Sequence, residues 1–105
     1  MDVIGTNPKS KSGTSFLGPS ACWRPIATYV CELAPDITAK CKYWWNNDCD
    51  GLNGDDSVLL ADLLQKEIDS GRAAEYARLR PQDGDVFSPE DVQEFVYFLR
   101  SCGGF

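Results

Sequence analysis

Apolar side chains recur with a helical period as soon as the chain leaves its first twenty residues. Ile26, Tyr29, Val30 and Leu33 fall at i, i+3, i+4 and i+7, which puts them on one stripe facing a core. Pro25 suits the first turn of that helix, and Pro35 ends it at Ala34, because proline disfavours helical backbone in the residue before it. A weaker helix is expected from Asp36 to about Trp45, with Ile37, Cys41, Trp44 and Trp45 on one side. Leu60, Leu63, Leu64 and Ile68 make the buried stripe of a helix over 57–70, capped by Asp55 or Asp56, with Gly71 as its stop. A short helix follows from Arg72 to Leu79, with Ala73, Tyr76 and Ala77 inward.

The last helix has the strongest signals. Ser88 is a natural N-cap, Pro89 fits the first helical position, and Glu90 and Asp91 meet the positive helix end. Val92, Phe95, Val96 and Leu99 then form its stripe, and Gly103 and Gly104 stop it. Residues 1–21, with Gly5, Pro8, Gly13, Gly18 and Pro19, read as an irregular arm that opens with a short strand at Asp2-Val3-Ile4. The expected fold is mainly α: a compact bundle of four or five short helices over 22–105, with a short terminal β-strand.

Composition narrows the chemistry. The chain has 105 residues, the size of one small domain, and the 43% hydrophobic and 25% charged residues are ordinary for a globular protein. No apolar run approaches the roughly 20 residues that span a bilayer, and no signal pattern opens the chain, so a soluble, cytoplasmic protein without membrane contact is expected. The net charge of −6 argues against phosphate binding by the whole surface, and direct nucleic-acid binding is not expected. The chain contains no histidine, which removes Ser-His-Asp and Cys-His catalysis and every His-ligated metal site. The five cysteines form no CxxC pair, so free thiols in a reducing compartment are expected rather than a zinc ribbon or a redox dithiol. Cys49 lies between Asp48 and Asp50, whose charge disfavours a nucleophilic thiolate.

The run Asn46-Asn47-Asp48-Cys49-Asp50-Gly51 spells the first half of an EF-hand loop, with oxygen ligands at alternate places and glycine at the turn. The second half departs from it: counted from Asn46, the eighth place is Asn53 and the twelfth is Ser57. Removing one place after Gly51 puts Leu52 eighth and Asp56 twelfth, similar to the shortened-acid loops of dockerin-type modules, at the loss of one backbone carbonyl ligand. In this reading Asn46, Asp48, Asp50 and Asp56 hold calcium weakly. The other reading needs no metal, because Asn, Asp and Gly gather at any tight connection before a helix. Both stay open on sequence alone.

Two further groups are candidates for contacts. Tyr43, Trp44, Trp45 and Trp23 are either partner anchors or core. Arg72, Arg78 and Arg80 are either a patch for phosphate or an acidic partner, or a solvated helix face. Carboxylate pairs such as Asp55/Asp56 and Glu90/Asp91 stand at helix starts, where capping accounts for them.

Several segments resemble a family of small uncharacterised proteins from bacteria and their phages or mobile elements. They are Trp23-Arg24-Pro25, Cys41-Lys42-Tyr43-Trp44, Asn47-Asp48-Cys49-Asp50-Gly51-Leu52, Glu67-Ile68-Asp69-Ser70-Gly71-Arg72 and the tail from Val92 to Phe105. Larger members carry a Cys-rich, zinc-type insertion between the equivalents of residues 80 and 86, where this chain has only Pro81-Gln82-Asp83-Gly84-Asp85. The resemblance implies a bacterial or phage origin and transfers no activity.

The expectation is therefore a small acidic non-enzymatic binding protein without a cofactor, in phage-like company, inhibiting or modulating a host macromolecular complex, with anti-CRISPR-type inhibition as one form. Its partner would be a protein or ribonucleoprotein with a basic surface. Asp48, Asp50, Asp55 and Asp56 would meet that surface, and Trp44 and Trp45 would anchor it. The alternative is a calcium-binding, EF-hand- or dockerin-like helix–loop–helix module.

Overall fold

The computed structural model describes residues 2–17, 20–39, 52–79 and 87–105. Among these are five α-helices and a two-stranded antiparallel hairpin, in the order β1 (Asp2–Ile4), β2 (Ser15–Leu17), α1 (Ser20–Leu33), α2 (Pro35–Thr38), α3 (Gly54–Asp69), α4 (Arg72–Leu79) and α5 (Pro89–Ser101). The mainly helical, compact fold expected from the apolar periodicity is the one found. No helix among the described residues is long and apolar enough to cross a membrane.

The core forms where the helical stripes meet. Ile26, Ala27 and Val30 of α1, Leu60, Ala61 and Leu64 of α3, and Val92, Phe95, Val96 and Leu99 of α5 are all buried. The four stripe positions of α5 are fully inaccessible, as their spacing requires. Phe98 is buried too, although it lies off that stripe. The reason is the N-terminal segment, read as an irregular arm from its glycines and prolines. It is a hairpin with Val3 opposite Phe16, and Phe16 places its ring 5.1 Å from Phe95 and 6.4 Å from Phe98. Helix α5 thus carries an apolar arc wide enough for α3 on one side and the hairpin on the other.

The hairpin also completes the end of α5. The last carbonyls of a helix have no partner within it. Here the amides of Lys9, Asn7 and Thr6 donate to the carbonyls of Ser101 (2.7 Å), Cys102 (2.9 Å) and Gly104 (2.7 Å). So close an approach of two backbones leaves no room for a side chain at Gly13, whose Cβ would collide with the Ser101 carbonyl. Gly103 has φ +66° and stands equally close to Asn7.

Three boundaries differ from the expectation. Helix α1 begins at Ser20, so Pro25 lies inside it and the division at residues 21 and 22 falls within one helix. Pro25 has no N–H to offer the Ala21 carbonyl, so the first turns are held by fewer bonds than the rest. Helix α2 is one turn, Pro35–Thr38, closed by the Thr38 hydroxyl donating to the Ala34 carbonyl at 2.9 Å; the rest of its expected span, from 40 to Trp45, lies outside the described residues. Helix α3 starts at Gly54 and its cap is Asn53, rather than Asp55 or Asp56. The Asn53 Oδ1 accepts the Asp56 amide at 2.8 Å, while the Asn53 carbonyl takes both the amide (3.0 Å) and the hydroxyl (2.8 Å) of Ser57. Asparagine caps well through this bond. Asn53→Ala should therefore cost about 1 kcal/mol in urea unfolding with an unchanged m-value.

Candidate interaction surface

The start of α3 places two adjacent carboxylates in opposite surroundings. Asp55 is exposed, whereas Asp56 is buried at 7% exposure, and both stand in the first turn against the positive helix end. Asp56 is thus not a solvent-facing acid for a partner, and of the expected recognition set only Asp55 is at the surface among the described residues. Trp44, Trp45, Asp48, Asp50 and Asn46 lie outside the described residues, as does Arg80.

The chain just before α3 is fixed from the other end of the molecule. Leu52 is buried in the core, its carbonyl accepts the Phe105 amide at 2.8 Å, and Asn53 forms an antiparallel bridge with Gly104. In the shortened loop register, Leu52 takes the apolar eighth place and Asn53 the ninth, a position that contributes to an EF-hand shell, often through water. Nothing in the sequence pointed to Asn53 as the capping residue or to the C-terminal tail as its neighbour, because both depend on a pairing between distant parts of the chain. Among the described residues no group of three or more His, Cys, Asp or Glu side chains is placed to hold a metal.

Beyond the loop exit, α3 and α5 run against each other and present one continuous outer surface. Gln65 and Gln93 bond reciprocally, Nε2 to Oε1 in both directions, at 3.2 and 2.9 Å. Farther along, Arg100 Nη1 donates to Asp62 Oδ1 at 2.7 Å. Lower numbers on α3 therefore meet higher numbers on α5, and the helices are antiparallel. Tyr97, half exposed, sits between Gln93 and Arg100 on the same stripe of α5, and Val58 precedes Asp62 by one turn on the facing stripe of α3. Leu59, 53% exposed, lies in the N-terminal half of α3, one turn from Asp55 and from Asp62. The exposed charges of this surface are Asp55, Asp62, Asp69, Glu90 and Glu94 against Lys66 and Arg100.

The remaining candidates are engaged within the chain or buried, apart from Arg78, which is exposed on α4. Arg72 is tied to the chain's own carboxylate, Nη1 to Glu67 Oε2 at 3.3 Å, while Glu67 Oε1 accepts the Tyr29 phenol at 3.1 Å. Burial, helped by the bond to Glu67, pushes the Tyr29 pKa upward, so the phenol stays a donor. Tyr29, Tyr76 and Phe87 pack ring on ring at 4.7–5.1 Å, which leaves no space between them for a ligand. Cys31 is a free thiol whose pKa burial raises, and Cys102 is a free thiol buried beneath the tail, accepting the Gly104 amide at 3.3 Å. Neither is in the electropositive, accessible setting of a reactive cysteine. The Ser88 hydroxyl donates to Glu90 Oε2 at 2.6 Å and lowers that exposed carboxyl's pKa, so Glu90 belongs to the α5 cap as well as to the outer surface.

No protein-family model, curated protein or solved structure matches this chain.

Proposed function

We propose that this protein works as a non-enzymatic binding protein whose partner presents a basic surface. The observation that supports this reading is the outer face of α3 and α5, where five exposed carboxylates stand against two cations on two rigid, mutually packed helices. Fixed like charges on such a scaffold steer an oppositely charged partner and repel phosphate backbones. A stoichiometric inhibitor or modulator of a host protein or ribonucleoprotein complex is the role that fits a small domain of this kind. Affinity capture from the source organism with mass spectrometry, washed at low and high ionic strength, tests it. Retained partners rich in surface Lys and Arg, released by salt, are expected. Capture of nucleic acid alone would contradict the reading.

One observation favours a second reading, a calcium-responsive helix–loop–helix. Leu52 is buried, and Asn53 and Asp56 begin α3 in the order that the shortened loop requires. Asn53 and Asp56 would be the part of the shell nearest α3, with Asn46, Asp48 and Asp50 supplying the rest. Calcium that binds only the folded chain raises its stability with concentration, by about 2.7 kcal/mol at a hundredfold excess over Kd. The expected result is a melting temperature that climbs with calcium and no longer does so in Asp56→Asn. A flat titration into the millimolar range would remove this reading.

A further inference from the structure

We infer that the face formed by Val58 and Leu59 of α3 and Tyr97 of α5 is the apolar centre of the docking surface, and that it receives a partner's basic amphipathic helix. This rests on the binding reading above and goes beyond it in naming the anchors and the occupant.

Apolar area left in water is unevenly distributed over the molecule. Among the described residues, five large hydrophobic side chains are exposed, and Val58 (39%), Leu59 (53%) and Tyr97 (50%) belong to the paired helices α3 and α5. The other two, Ile4 and Leu79, stand apart on β1 and α4. The register of the two helices sets Tyr97 on one side of the Asp62–Arg100 bond and Val58 and Leu59 on the other, so a ligand lying along the pair would meet all three. Apolar side chains interleaved with charge on one rigid face have the anatomy of an interaction site.

Tyr97 is held in place from both sides. Gln93 and Arg100, one turn before and after it, are each bonded across to α3, so the ring projects from a fixed ridge with little ordering left to lose on binding. Tyrosine on a rigid support is among the commonest interface anchors.

The rim selects the occupant. Asp55 and Asp62 stand one turn before and after Leu59, and Glu90 and Glu94 precede Tyr97 along α5. With Asp62 and Arg100 paired to each other, Asp55, Asp69, Glu90 and Glu94 stand against Lys66 alone. A complementary surface carries Lys or Arg around apolar side chains. Nucleic acid has the wrong sign, and an acidic or neutral partner would leave the rim uncompensated. The 16 residues of α3 and 13 of α5 give a face about 20 Å long, which a helix of about fourteen residues spans.

The test uses fluorescence anisotropy with the full chain and three labelled probes: a Leu/Lys amphipathic helical peptide of about fourteen residues, its Leu/Glu counterpart and a short DNA duplex. At low salt the Leu/Lys peptide should bind and the others should not. Leu59→Ser combined with Tyr97→Ser should weaken binding about tenfold or more with an unchanged melting temperature, while Leu79→Ser, equally surface-apolar but on α4, should leave it within about twofold. Equal binding by the double variant would overturn the docking face and leave the basic-partner reading standing. Failure of the Leu/Lys peptide to bind at any salt, or tighter binding of DNA, would overturn both.

Discussion

Phe95→Ala should remove about 3–5 kcal/mol of folding stability, much of the about 5–15 kcal/mol available to a domain of this size. Phe95 is fully inaccessible and stands where three parts of the chain meet. Its ring lies 5.1 Å from Phe16 of the hairpin, 6.1 Å from Phe98 in the same helix and 6.4 Å from Phe105 of the tail. Truncation loses the burial of the ring and leaves a cavity that three separate segments line. Those segments are held by backbone bonds, the hairpin to the end of α5 and the tail to Leu52, so the space cannot easily close. Thermal melting should fall by about 15 °C or more. Tyr97→Ala, two residues away on the exposed side, should stay within about 0.5 kcal/mol. Similar losses for the two would contradict the assignment of inner and outer faces of α5.

The second large effect is expected at Gly103. Its φ of +66° is in the left-handed region, where a β-branched side chain is badly strained. A Cβ there would also meet the Asn7 carbonyl oxygen, and would lie 2.8 Å from the Asn7 Cβ. Gly103→Val must therefore either distort the stop of α5 or push the hairpin strap away from it, and a cost of about 2–3 kcal/mol follows. Hydrogen exchange distinguishes the site of the damage. The amides of Thr6, Asn7 and Lys9, which donate to the end of α5, should exchange much faster, while those in the centre of α3 should lose only the globally averaged protection. Unchanged protection at these three amides would show that the strap does not depend on Gly103.

Both predictions rest on contacts that were only half legible in the sequence. The helix stripes were readable because burial of one face imposes a period that survives in any single chain; Ile26, Val30, Leu60, Leu64 and the α5 positions all occupy the core. The stop of α5 at Gly103 and Gly104 was readable because few other residues adopt that backbone. The hairpin was not. Its strands are three residues each, too short for an alternating pattern to stand out, and its glycines, which read as breakers, are there so that two backbones can touch. The burial of Phe98 was hidden for the same reason, since it depends on Phe16 arriving from a distant part of the chain.

The interaction surface divides in the same way. The acidic balance was visible in composition, and Asp55 is exposed as a surface carboxylate should be, although it stands in the first turn of α3 and not at the cap expected for it. That Asp56 turns inward follows from Asn53 taking the cap, which starts the helix three residues earlier than the Asp55–Asp56 pair alone suggests. Leu59 and Tyr97 attracted no notice in the sequence because a single exposed apolar residue carries no periodic signal. Only the antiparallel packing of α3 and α5, fixed by the Gln65–Gln93 and Asp62–Arg100 bonds, sets Val58 and Tyr97 on the same outer side of the helix pair, to either side of the Asp62–Arg100 bond.

The binding account is tested most directly by following backbone amide shifts of the isotope-labelled chain as the Leu/Lys helical peptide is added. Perturbations should centre on Val58, Leu59, Asp62, Glu94 and Tyr97, diminish with added salt, and leave the hairpin and α4 silent. Shifts concentrated on α4 or the hairpin, or spread evenly over every exposed acid, would contradict it.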